Sequence, residues 1–371
     1  MINQILASCR ELSKIPPETA EAFIQAIDIL LDNVNSQLEA NSKIRELTGR
    51  NPPDLILKNL KNHAMLMSAV VRMNSFELLA RTLPWIYRSY HARGFSYDYF
   101  PAEFVAWQIA MYECLDSSLP KTEIMAVYRC VIQHHEDLVK LSITPERLSY
   151  SVTQESGEMR QTFLSLLLNG DSQGCFKLAN QSIVTSDDMK HFYLDILWPS
   201  MYKIGELWES AQISVAEEHL ATAIVGRIMT ALYTRFAQFE VTRGKVLVSA
   251  GPNEFHEIGA RMVADFLEMD GWDVTYLGAN TPAGEIHNML MNIKPFILAL
   301  SVATVFNIDN ARQVIQMIRE HQDTHNIKVM VGGLAFNCVP QLWQEIGADG
   351  QAADAESAVK VSEKWWIERM V

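Results

Sequence analysis

The chain has 371 residues, 49% hydrophobic and 20% charged, with a formal net charge of −13. That length admits two or three domains with real cores, and the acidic balance argues against nucleic acid as main partner, since phosphate binding needs clustered Lys and Arg. No apolar run reaches the length of about 18 residues that would span a membrane, the five cysteines are scattered, and Met1-Ile2-Asn3-Gln4 lacks a basic leader segment, so a reducing cytoplasm is expected. In chain order, residues 1–145 read as helical. Ala22, Phe23, Ala26, Ile27, Leu30, Leu31 and Val34 follow helical spacing across 19–47, and Asn51-Pro52-Pro53 breaks the run. A second helical stretch covers 54–83, with Pro84 as a break or kink. An aromatic stretch from Trp85 to Phe100 follows, then helices over 102–115 and 121–141. Such a stack, with no strand signal, predicts an all-α domain, and its helix number and lengths are compatible with a globin-like arrangement.

The polar segment 142–158, with Pro145 and Gly157, reads as a linker. Helices over 160–168, 171–181, 187–209 and 215–238 predict a four-helix bundle. From Arg243, strands over 245–250, 273–277, 295–300, 327–331 and 348–351 alternate with helices, one of them opening at Thr281-Pro282 with a hydroxyl at the N-cap and Pro at the first helical position. That alternation predicts βαβ units and a flavodoxin-like, doubly wound α/β parallel sheet. The expected domains are therefore 1–145, 158–240 and 241–371.

The stretch from Gly251 to Gly259 joins the first strand to its helix, at the strand's carboxyl end, where open α/β sheets place ligands. It carries His256, with Glu254 two residues before it: a metal ligand and a partner able to orient it. On its own such a His is as well read as solvated or capping. Ser301-Val302-Ala303 and Gly332-Gly333, however, also end apolar strands and would line the same sheet edge. Together these features resemble the cobalamin-binding pattern of corrinoid proteins and B12-dependent mutases, Asp/Glu-x-His-x-x-Gly, then Ser-x-Leu, then Gly-Gly, over about 240–371. The resemblance implies that His256 is the lower axial cobalt ligand, that Glu254 fixes its tautomer, and that Phe255, Gly259, Ser301, Ala303, Gly332 and Gly333 meet the cofactor or its displaced nucleotide tail. Glu254 stands where many members have Asp, and Ala303 where many have Leu.

A second constellation lies upstream. Ser214 and Glu217 form a capping-box pattern, so the last bundle helix starts at a defined place, with Val215, Glu218 and His219 on one face of its early turns. Trp208 ends the preceding helix. A Trp and a Val at such a corner usually mean core, and Glu218-His219 can be a solvated pair. Following the cobalamin pattern, however, Trp208-x9-Glu218-His219 resembles the cap of adenosylcobalamin-dependent photoreceptors. That resemblance implies that Trp208 covers the upper face, that Val215 and Glu218 contact the adenosyl group, and that His219 becomes the upper cobalt ligand after light releases it. Methyl-carrying corrinoid proteins share the sheet but not, as a rule, this spacing, and remain the alternative function; a module using B12 structurally is a third.

The light-sensing repressors of that family carry a DNA-binding winged helix, and nothing in 1–145 reads as one, so no direct DNA binding is expected. The N-terminal region instead resembles the bilin-binding, globin-like domain of photocobilins, carried by the aromatics between Tyr87 and Phe100. The resemblance implies biliverdin as second chromophore. Arg81, Arg88 and Arg93 could meet its propionates, and His91, Tyr97, Asp98 and Tyr99 its pyrrole nitrogens. The same aromatics could equally be core and dimer contacts, and haem on His63, His91, His134 or His135 is a weaker option. The expected protein is a photoreceptor rather than an enzyme, a homo-oligomer such as a dimer, with an unnamed downstream signalling partner.

Overall fold

The structure, a computed structural model, describes residues 1–144, 154–236, 239–339 and 341–369, the side chains of 154–156 excepted. The chain divides into two units, Met1–Glu146 with Val305–Asp309, and Arg147–Thr304 with Asn310–Val371.

The first unit holds, besides a 3-10 turn at Val305–Asn307, nine α-helices among the described residues of 1–144: α1 (Ile2–Arg10), α2 (Pro17–Gln25), α3 (Ile27–Ala40), α4 (Ile44–Leu47), α5 (Pro53–Met73), α6 (Phe76–Ala92), α7 (Tyr99–Cys114), α8 (Thr122–Gln133) and α9 (His135–Ile143). The run expected over 19–47 is three helices: Ala26 leaves helical geometry between α2 and α3, and Asn41 ends α3 in an extended conformation. His134 likewise divides the stretch expected over 121–141. Pro84 neither ends nor separates a helix. It lies inside α6, where the burial of Leu83, Ile86 and Tyr87 outweighs the lost backbone bond. The real break is Asn74, a left-handed C-cap at φ 53° whose N–H reaches the Val70 carbonyl. The aromatic stretch is thus the end of α6, a turn, and the start of α7. Helix α7 is the centre of this unit, burying Tyr99, Phe100, Glu103, Phe104, Trp107 and Met111.

Residue Pro145 of the expected linker lies outside the described residues, and Gly157 sits within a helix. The second unit opens with α10 (Gln154–Leu168), α11 (Ser172–Ser182), α12 (Ser186–His191), a π-helical turn (Phe192–Leu197), α13 (Trp198–Glu209) and α14 (Val215–Phe236). The segment expected as one helix over 187–209 is widened by that π turn, and Pro199, which has no N–H to return to Asp195, accounts for the wider turn. Then come β1 (Lys245–Ala250), α15 (Ile258–Met269), β2 (Asp273–Tyr276), α16 (Ala283–Ile293), β3 (Ile297–Ser301), α17 (Ile308–Glu320), β4 (Lys328–Gly332), α18 (Leu334–Asn337), α19 (Leu342–Glu345), β5 (Gly350–Ala352) and α20 (Ala355–Glu368). Pro282 rather than Thr281 is the N-cap of α16, and no side chain caps it.

All neighbouring strands pair in parallel, in the order β2-β1-β3-β4-β5. This is the flavodoxin order, with its switch point between β1 and β3. The central strands β1, β3 and β4 are buried on both faces, which is why they read as continuous apolar runs. Register decides the site: Ala250 pairs with Ser301, Ser301 with Gly332, and Gly332 with Ala352, so these four residues form one row along the carboxyl edge. Among the described residues no helix is long and apolar enough to cross a membrane.

Candidate functional site

The loop after β1 is folded back tightly. Gly251 N–H donates to the Ser301 carbonyl at 2.9 Å and Glu254 N–H to the Gly251 carbonyl at 3.0 Å. Asn253 takes a positive φ of 64° to allow it, a conformation Asn tolerates. The result buries Glu254 to 1% exposure and leaves the His256 side chain 62% exposed. One carboxylate oxygen of Glu254 accepts from His256 Nδ1 and from its backbone N–H. The other accepts from the backbone N–H groups of Ala303 and Thr304, each at 2.9 Å, and from Thr304 Oγ1 at 3.0 Å. Burial alone would push the Glu254 carboxyl up, but the bond from His256, its charge, and the backbone donors together hold it down at about 2. The same bond is the largest cause raising the His256 imidazole, burial working against it, with the Glu254 and Glu218 charges adding to the rise. With Nδ1 carrying the proton to Glu254, Nε2 keeps the lone pair and is the ring atom able to ligate a metal.

Beside this loop an apolar cleft opens at the row of strand ends. Ser301, Gly332 and Gly333 line it, with Gly259 and Val263 of α15, Asn337, and Leu194, Trp198 and Tyr202 from the bundle. The expected glycine pair has a reason inside the protein as well as toward a ligand. Gly333 has φ 95°, and a Cβ there would stand 2.3 Å from the Val302 carbonyl; at Gly332 it would stand 2.6 Å from that of Ala352. Ala303, expected to leave room beside a nucleotide tail, acts through its N–H on Glu254. Phe255 is 68% exposed. Sequence reasoning missed Thr304 and the pair Trp198 and Tyr202, whose rings meet edge-on at 5.0 Å; their spacing of one helical turn is the only signal that could have found the pair.

The capping box at α14 is formed as expected: Ser214 Oγ accepts from Glu217 N–H at 3.2 Å, and Glu217 accepts from Ser214 N–H at 2.7 Å. Trp208 lies half-buried in the last turn of α13, and Val215 is exposed. His219 Nδ1 donates to Glu218 at 2.5 Å. An open groove runs along α14 past His219, Thr222, Ala223, Gly226, Arg227 and Thr230, and its other wall is Glu257 and Arg261. Arg261 joins the two walls, donating to the Gly226 carbonyl at 3.2 Å and to Thr230 Oγ1 at 2.9 Å. The structure therefore places His219 on the same groove that the residue after His256 enters.

In the first unit the residues expected around a tetrapyrrole are close together, but they pack on one another. Tyr87 stacks on Phe100 with centroids 3.7 Å apart, and His91 on Tyr97 at 4.0 Å. Arg81 is paired with Glu77 at 2.7 Å, Arg93 donates to the Ser89 carbonyl, and His91 Nδ1 bonds the Phe95 carbonyl. Arg88 is partly buried within α6, and Asp98 is exposed ahead of α7. Tyr99 is fully buried near Glu103, whose carboxyl burial pushes up to about 8. Of the imidazoles considered for haem, His63 bonds Tyr128, His134 bonds Ser8 and His135 bonds Tyr87.

Residues 244–360 match a family model described as a B12 binding domain, and residues 159–233 match a second one of the same description. The HTH-type transcriptional repressor CarH of Myxococcus xanthus is 30% identical over 142 residues, 38% of this chain and 46% of the repressor. Monomethylamine corrinoid protein 1 of Methanosarcina mazei is 24% identical over 212 residues, 55% of this chain and 96% of that protein. The chain thus spans about half the length of the first relative and nearly all of the second. The structure of the Methanosarcina barkeri monomethylamine corrinoid protein superposes with a TM-score of 0.50 at 19% identity, covering 57% of this chain and 99% of that one, a likeness of fold. The second unit carries B12-binding domains, and its cofactor is a cobalamin. The donor set fits that group. His256 presents one imidazole nitrogen, and among the described residues no group of three or more His, Cys, Asp or Glu stands ready to enclose a metal. His256, aimed by Glu254, would be the residue that holds the cobalt of such a cofactor.

Proposed function

We propose that this chain is a B12-dependent photoreceptor that takes adenosylcobalamin in its second unit. What supports this reading over the alternative is the Glu218-His219 pair on the groove whose opposite wall is Glu257 and Arg261. Adenosylcobalamin, when bound, supplies a light-labile cobalt–carbon bond. His256 would hold the cobalt through Nε2, oriented by Glu254, with Ser301, Gly332 and Gly333 lining the cleft for the nucleotide tail. Trp208, Val215 and Glu218 would shield the opposite face, and His219 would supply a second imidazole once that face opens, since neutral imidazole suits a transition metal better than a carboxylate. The reading assigns the chain no turnover chemistry, a cytoplasmic location, a homo-oligomer, and a downstream protein partner in place of DNA. The test is the absorbance of adenosylcobalamin-loaded protein before and after green light. A lasting spectral change, ending with two imidazoles on cobalt in the wild type but not in His219→Ala, is expected; an unchanged spectrum under illumination overturns the reading.

For the first unit we propose biliverdin in a globin-like domain. The supporting observation is the aromatic cluster around Tyr87, Tyr97 and Phe100, whose stacked rings would have to part to admit it. Full-length protein from cells making biliverdin should carry a red or far-red band; folded protein without the band overturns this part alone.

The alternative, a carrier of methyl groups for methyltransferases, is favoured by the near-complete coverage of the monomethylamine corrinoid protein. It is separated by loading with methylcobalamin and asking whether a methyltransferase discharges it in the dark.

A further inference from the structure

Two relays of the same composition stand in this unit: one on α14 lines the groove, and the other ends at His256, whose chain neighbour Glu257 lines the opposite wall. At the end of β1, His256 Nδ1 donates to one oxygen of Glu254, and the other oxygen accepts from Thr304 Oγ1 at 3.0 Å. On α14, His219 Nδ1 donates to Glu218 Oε2 at 2.5 Å, and Glu218 Oε1 accepts from Thr222 Oγ1 at 2.8 Å. A threonine in a helix ordinarily turns its hydroxyl back to the carbonyl four residues earlier. Thr222 instead gives it to the side chain of that earlier residue, Glu218, while Thr230 further along α14, Ser200 on α13 and Ser182 on α11 follow the ordinary habit. The two relays differ in support. Glu254 is 1% exposed and also accepts from the Ala303 and Thr304 backbone. Glu218 is 21% exposed and is held across its second oxygen by the Thr222 hydroxyl. A carboxylate with a fixed second oxygen can point its first in only one direction, and an imidazole bonded to it through Nδ1 must present Nε2.

We propose that Thr222 is a positioning residue: through Glu218 it fixes the His219 imidazole as the Nδ1–H tautomer with Nε2 turned to the groove, completing on α14 the relay that Thr304, Glu254 and His256 form at the sheet edge. This rests on the reading of His219 as the second axial donor, and it goes beyond that reading by naming what aims the donor. The asymmetry of support has a consequence. Removing the Thr222 hydroxyl frees the second oxygen of Glu218, whereas removing that of Thr304 leaves the corresponding oxygen of Glu254 held by two backbone donors.

The test compares Thr222→Val, which keeps shape and branching but has no hydroxyl, with Thr222→Ser, which restores it, and with Thr304→Val. The first measurement needs no cofactor: the ring 15N shifts of His219 in the full chain report its tautomer. Wild type and Thr222→Ser should show Nδ1–H, and Thr222→Val a mixture. The second is the rate at which illuminated protein loses cobalamin, followed by absorbance. Thr222→Val should release it about fivefold to tenfold faster than wild type, the effect of losing one charge-assisted hydrogen bond in a ligand's support, with Thr222→Ser close to wild type and Thr304→Val changed less. A Thr222→Val protein with an unshifted tautomer and unchanged release overturns the inference. If His219→Ala itself releases cobalamin at the wild-type rate and keeps two imidazoles on cobalt, the reading of His219 fails instead, a result that the tautomer measurement keeps separate.

Discussion

In the second unit His256 is 62% exposed and its partner Glu254 1%, whereas in the first unit His63 and Glu103 are both buried, at 6% and 3%. The residue types are the same and the outcomes are opposite. Glu254 collects N–H and O–H donors on both oxygens, which keep it charged at any ordinary pH, and it in turn raises the imidazole. His63, ringed by Phe104, Trp107 and Tyr128, lies 3.8 Å from Glu103, beyond a hydrogen bond, and the long bond that Glu103 accepts from the Trp107 indole, 3.4 Å, does not offset its burial. Burial drives His63 down to about 3 and Glu103 up to about 8, so both are neutral near pH 7. A carboxylate makes a ligand of an imidazole only when something else first holds the carboxylate in its charged form; without that, the two residues become core.

The largest effect is expected of His256→Ala. Removing the ligating atom should weaken cobalamin binding by more than about 100-fold, beyond the range typical of losing an orienting partner, and an absorbance titration should show a bound cofactor without protein imidazole. Next is Glu254→Gln. The amide keeps one acceptor oxygen but turns an NH2 toward the donors of Ala303 and Thr304 or toward His256. A loss of about 10–100-fold is expected, and binding equal to wild type would mean that charge does not matter there.

The first unit offers the reciprocal change. Because the folded-state pKa of Glu103 is raised from its ordinary value to about 8, its stability contribution is full below about pH 4.5 and is lost as pH rises through 8. Glu103→Gln imitates the protonated acid. It should leave the melting temperature unchanged at pH 5 and raise stability at pH 9 on the order of a few kcal/mol. Equal melting curves of the two proteins at pH 9 would show that the carboxyl is not the buried acid described here.

Asp265 on α15 is intermediate. It is buried and bonded by Tyr193 Oη at 3.0 Å. Burial raises it to about 7, against the lowering by that bond and by Arg261, with Glu268 adding to the rise. Its contribution is full below about pH 4 and fades as pH climbs through 7. Asp265→Asn should flatten that slope in thermal melts, with a smaller gain than at Glu103 because Tyr193 and Arg261 partly compensate the charge.

Much of this was legible in the chain alone. The three central strands, β1, β3 and β4, are buried on both faces and so read as continuous apolar runs, and their alternation with helices left the two edge strands to be placed between helices. Ser214 and Glu217 lie three residues apart, and a capping box needs nothing from elsewhere, so the start of α14 was readable too. Glu254 and His256 are near neighbours, and Gly332-Gly333 announces a backbone that no side chain fits. Tertiary packing decided the rest. Pro84 stays helical because Ile86 and Tyr87 are buried, and two of the three arginines expected to meet propionates, Arg81 and Arg93, are engaged by Glu77 and the Ser89 carbonyl. Thr304 reaches Glu254 because the pairing of Ala250 with Ser301 brings the two loops side by side. Hydrogen bonds within a turn are set by local spacing, which sequence states directly. Bonds between residues some fifty positions apart are set by strand register, which exists only once the sheet has formed.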